Sequence, residues 1–151
     1  MNTQRPLLLE LLSKTHPALL DASLLLLRLS AGIILFVIGS GKVMGWFGGM
    51  GLTATIQMFV LKMGIPTPLA YLSCLTEFIG GFLLIIGFLT RPAALAVAIN
   101  MTVATITILP KGFFFGGAGY PFCLLVMAVV ILLSGPRAYS ADAFLFGIDA
   151  H

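Results

Sequence analysis

The sequence predicts an all-α integral membrane protein. The expected architecture is a bundle of four transmembrane helices. An N-terminal interfacial helix precedes it, and an interfacial or re-entrant segment separates spans one and two. Of 151 residues, 60% are hydrophobic and 9% charged, whereas a soluble domain carries about 25% charged residues. Mean hydropathy is +1.13, which suits an outer surface of lipid. The apolar residues gather into four runs, and each span needs about 20 of them.

The elements follow in chain order. Residues 1–20 read as an N-terminal interfacial segment, with Pro6 to Lys14 as a short surface helix. Glu10 and Lys14 form an i,i+4 pair there while Leu8, Leu11 and Leu12 dip into lipid. Glu10 interrupts the apolar run and no small-x-small site follows, so a cleavable signal is not expected. The first span covers about Ala22–Met44. Gly45–Pro68 is too interrupted to cross, and TATIQMFVLKMG within it reads as a helix in the interface or folded back into the bilayer. The second span, about Leu69–Leu89, starts after the breakers of GIPTP. The third covers about Pro92–Leu109, with Pro92 suited to a first helical turn. The fourth, about Tyr120–Ser134, is short unless the FFF run at 113–115 also enters the bilayer.

The stretch FVIGSGKVMGW at 36–46 contains GSGK, which invites comparison with a phosphate-binding loop. A Walker A loop needs glycine at 36 and a hydroxyl after the lysine; the residues are Phe36 and Val43. The dinucleotide pattern fails at Met44. Lys42 instead snorkels and Trp46 joins the aromatic belt where the first span leaves the membrane. The glycines before them allow close helix approach.

Net charge is +3, from single scattered charges. With no basic run, a nucleic-acid partner is not expected. If both termini share one side, that side holds Arg5, Lys14, Arg91 and Arg137 against Lys42, Lys62 and Lys111. The positive-inside rule then places both termini in the cytoplasm.

Glu77 is the most informative residue, because a charge near mid-span costs a few kcal/mol or more unless paired or protonated. Ser73 and Gly81 lie one turn away on either side, a small polar stripe that faces protein. In the first span Arg28, Gly32, Leu35, Gly39, Lys42 and Trp46 share one helical face. At 1.5 Å per residue, Arg28 lies about 10 Å from the cytoplasmic end, Glu77 about 18–20 Å and Lys42 about 30 Å. These depths predict an Arg28–Glu77 pair with Lys42 at the rim. Asn100 shares a face with Ala93, Ala96, Ala104 and Thr107, and completes the polar cluster. The plainer reading is that such residues only hold helices in register, through hydrogen bonds worth about 0.6–2 kcal/mol.

Other chemistry is poorly supplied. His16 and His151 lie outside the spans, so axial haem ligation is not expected, and no ligand cluster suggests a metal. Flavin is not expected either. Cys74 and Cys123 occupy no CxxC or zinc spacing; they fall at similar depths, within pairing reach, but buried cysteines are usually apolar fillers.

Three stretches carry a family resemblance: RLSAGIILFVIGSGKV in the first span, TEFIGGFLLIIGFLTRPAA across the second and third, and GPRAYSADAFL after the fourth. In their order and spacing the chain resembles the DoxX family of small four-span membrane proteins over about residues 24–145. The domain thus implied is 21–145, with 146–151 as a tail. The family's recurring charged positions fall on Arg28, Lys42, Glu77, Arg91 and Asp142. The chain departs in its hydrophobic N-terminal extension and in GPRAY, where members often carry a second glycine. The resemblance implies a prokaryotic inner-membrane protein, since relatives include a small membrane subunit of thiosulfate:quinone oxidoreductase.

Two readings stay open. In the first, the chain is a quinone-interacting subunit of a redox complex, not catalytic alone, that receives electrons from a partner. Glu77 and Arg28 then handle a proton or polarise a quinone oxygen, and Lys42, Trp46 and Asn100 contact the quinone. In the second, it is a structural or assembly subunit that docks, through its lipid-facing surface, onto membrane-protein partners or further copies of itself.

Overall fold

The structure, a computed structural model, describes residues 17–137 and 139–147. The predicted surface helix at Pro6–Lys14 lies outside them. Six α-helices occur among the described residues: α1 (Pro17–Met44), α2 (Gly51–Met63), α3 (Thr67–Ile86), α4 (Thr90–Ile108), α5 (Gly119–Ser134) and α6 (Ala141–Phe146). Short 3₁₀ turns at Trp46–Gly48 and Leu109–Lys111 follow α1 and α4. Helices α1 and α3, and the stretch Thr90–Lys111 that contains α4, are long and apolar enough to cross a membrane, and α5 is a shorter apolar helix. The chain is an integral membrane helical bundle.

Glycines set the first packing decision. A Cβ on Gly39 would stand 2.4 Å from the Phe78 backbone nitrogen, and one on Gly81 would stand 2.5 Å from that of Phe36. Side chains are excluded there, so α1 and α3 run antiparallel with backbones nearly touching. Phe36 and Phe78 flank the seam with rings stacked at 5.3 Å. The second pair is α4 and α5, which share most of their packing. Ala31, Leu35, Leu84, Val97, Met101, Leu124 and Ala128 form the apolar core where the two pairs meet.

A tight turn joins α3 to α4, with Gly87 and Leu89 both at positive φ. Near this turn the two helices are filled by core side chains. Towards the other end of α3, α2 packs against α3 and α1 instead, burying Ile56 and Phe59 beside Ala70 and Cys74. Positive-φ glycines bound α2 on both sides, at Gly51 and Gly64.

The α3–α4 turn is closed by the C-terminal segment. Asp142 on α6 accepts hydrogen bonds from the Leu89 and Thr90 amides, both at 2.8 Å. No residue at the start of α4 provides a side-chain cap, so a carboxylate from 52 residues away satisfies amides that the helix cannot. Ser140 caps α6 by accepting from the Ala143 amide, and the Arg137 guanidinium pairs with Asp21 at the start of α1.

Candidate functional site

Glu77 sits at the midpoint of α3 with its side chain 6% exposed. Its partner is Lys42: Nζ donates to Oε1 at 2.7 Å and lies 2.6 Å from Oε2. The ammonium thus straddles both carboxylate oxygens. The ammonium also lies 5.3 Å from the centroid of the Phe59 ring on α2, within cation–π range.

This corrects the predicted Arg28–Glu77 pair. Facing residues on the glycine seam total 117 in number at both Phe36/Gly81 and Gly39/Phe78, so Glu77 faces Ser40. Lys42 is then two residues from that level, about 3 Å along the axis, whereas Arg28 is twelve away, about 18 Å. Direction matters as well. Cα–Cβ bonds tilt towards a helix's N-terminus, so on antiparallel helices Lys42 and Glu77 lean towards each other while Arg28 leans away. Arg28 is buried, faces Gly87 and donates to the Tyr139 carbonyl. It therefore belongs to the cluster that pins the C-terminal segment.

Beside the ion pair lies a cavity of about 510 Å³, between the diverging ends of α3 and α4 and roofed by α2. Lys42 and Glu77 close its inner end. Asn100, Ala96, Ala104 and Thr107 on α4 line one wall, as their predicted common face implies, while Ala93 turns into the core. The Asn100 Nδ2 is buried and without a hydrogen-bond partner. Leu72 on α3 and Ile99 on α4 also line the cavity, yet are 59% and 60% exposed, so it opens sideways between these helices, towards lipid.

Chemically, the site is an apolar slot with a neutral ion pair and an amide donor at its inner end. It suits an uncharged, mostly apolar molecule carrying a hydrogen-bond acceptor. Trp46 lies outside this cavity and lines a neighbouring one that shares Lys42 and Met58. Cys74 and Cys123 are both free; Cys74 is buried and Cys123 exposed. The sequence offered TATIQMFVLKMG as an interfacial helix or a re-entrant cap, without naming Met58, Phe59 and Met63 as the side chains that cover this cavity.

The DoxX family profile matches residues 23–110, more than half of the sequence. The chain belongs to the DoxX family. It is 37% identical over 122 residues to a Bacillus subtilis protein named "Putative oxidoreductase CatD", covering 81% of this chain and 86% of that one. It is 33% identical over 129 residues to "Inner membrane protein YqjF" of Escherichia coli, covering 83% and 93% respectively. No solved structure matches it. The DoxX match contains both members of the ion pair and Asn100, while Asp142 lies beyond its end.

Proposed function

We propose that this DoxX protein is the quinone-binding membrane subunit of an inner-membrane oxidoreductase complex, with both termini in the cytoplasm and α5 as the fourth span. The observation that supports it best is the lipid-facing cavity ending on Lys42, Glu77 and the unpartnered Asn100 amide. A quinone reaches such a slot from the bilayer, buries its ring between α3 and α4, and accepts a hydrogen bond from Asn100 Nδ2 on one carbonyl. Lys42, whose charge Glu77 neutralises, supplies the electrophilic end. Electrons come from a partner subunit, because quinone reduction needs a two-electron donor. The name of the B. subtilis relative agrees with a redox role, and that of the E. coli relative with the location.

The test uses the single tryptophan, Trp46, which neighbours the site. In lipid nanodiscs, menadione quenches its fluorescence saturably, and Asn100→Leu weakens the binding about tenfold, the equivalent of one hydrogen bond near 1.4 kcal/mol. Linear quenching, identical in the two proteins, defeats the reading.

A second reading, a non-catalytic assembly subunit, draws support from the position of the ion pair on the tight α1–α3 seam, where it also fixes register. Glu77→Gln keeps the shape and separates the two. Loss of partner-dependent quinone turnover with assembly intact assigns Glu77 to chemistry; loss of detergent stability with turnover per folded protein unchanged assigns it to structure.

A further inference from the structure

Two cavities meet at Lys42. The second, about 370 Å³, lies on the loop side of α1, between Val37, Ile38 and Gly41 on one wall and Trp46, Gly49 and Met50 on the other. We propose that it is a water-filled vestibule, through which the Lys42–Glu77 pair exchanges protons with the aqueous phase at the α1–α2 loop end and not with the phase at the Asp142 end.

Three observations carry this. Burial across the pair is asymmetric: the Lys42 side chain is 25% exposed and that of Glu77 6%, and of the two only Lys42 lines this second cavity. The outer wall sets the exposed backbone of Gly48 and Gly49 among the side chains of Trp46, Phe47 and Met50. Gly45, Phe47, Gly48 and Gly51 all have positive φ and fold the loop back until Gly49 rests on α1, where a Cβ would stand 2.3 Å from the Gly41 Cα. The peptide groups of Gly48 and Gly49, which no side chain covers, offer water donors and acceptors. The opposite route is shut. Leu35, Leu84, Val97 and Met101 pack the core beyond the pair, and Asp142, Thr90 and Ser140 are buried in the closed C-terminal cluster.

Other titratable groups lie within electrostatic reach. Cys74, buried on α3, feels both members of the pair, and Tyr120 at the start of α5 feels Glu77. Neither lines the vestibule, so Lys42 is the ionisable group that water meets. The consequence for a bound quinone, that its protons come from the loop side, rests on the function proposed above; the water route itself does not.

Cysteine accessibility in full-length protein tests it. In a Cys123→Ala background, the fully buried Cys74 serves as an unreactive internal control. Ile38→Cys lies inside the span but on the vestibule wall, whereas Ile34→Cys lies one turn deeper and off that wall. A charged, membrane-impermeant thiosulfonate added to proteoliposomes should modify Ile38→Cys at least about tenfold faster than Ile34→Cys, and only from the loop side. Val37→Cys repeats the measurement should Ile38→Cys fold poorly. Equal rates at the two depths, or modification from the Asp142 side, overturn the proposal. Rapid one-sided labelling together with unsaturable menadione quenching keeps the vestibule and removes the quinone.

Discussion

Glu77 places a carboxylate at the middle of a membrane helix, and the work of neutralising it falls on Lys42, 2.7 Å away. Removing one partner of such a pair leaves an uncompensated charge in a poorly solvated place, which typically costs about 3–5 kcal/mol, whereas replacing both with apolar side chains is often neutral or stabilising. Lys42→Met alone is therefore expected to lower thermal stability in detergent sharply, Glu77→Leu alone likewise, and the double variant to recover most of the loss. Equal, additive losses in the double variant would show that the two side chains act independently. Sequence periodicity placed Arg28 and Lys42 on one face correctly, yet chose the wrong partner for Glu77. Depth along a single helix cannot supply the register between two helices. That register comes from which glycines touch, and Gly39 against Phe78 is a contact between residues 39 positions apart.

At the scale of the element, the spans were legible because hydrophobic length and breakers are local signals. The expected start near Ala22 falls inside α1, and the expected spans at 69–89, 92–109 and 120–134 fall within a few residues of α3, α4 and α5. What no local signal announced is the way α4 begins. Leu89, at φ 48, occupies the capping position without a capping side chain, and Asp142 provides the missing acceptors from the far end of the chain. The resemblance flagged Asp142 as a recurring charge without giving it a role; the fold gives it one. Loss of a helix cap costs about 0.5–2 kcal/mol. Asp142→Ala should destabilise the bundle by about that much and speed amide hydrogen exchange at Leu89 and Thr90 ahead of the rest of α4. Exchange that stays unchanged at those two amides would mean that water caps the helix as well as the carboxylate does.

Across the whole molecule, stability and emptiness are segregated. The half of the bundle next to the α3–α4 turn is filled with apolar side chains and sealed by the C-terminal cluster, while the other half holds two cavities that share one lysine. A bundle selected only for packing gains by filling such a space, at about 0.8 kcal/mol for each methylene buried. Ala104, on the cavity wall, is the place to test this. Ala104→Leu adds three carbons towards the slot, so a cavity without a role predicts a melting temperature in detergent that holds or rises and a protein otherwise unaltered. A quinone site predicts the same melting temperature together with loss of saturable Trp46 quenching by menadione, because ring and leucine compete for one volume. Quenching that survives a filled slot would move the ligand elsewhere on the bundle. A fall in melting temperature would show that the α3–α4 wedge is too rigid to accept the side chain, and the smaller Ala104→Val then decides between the two.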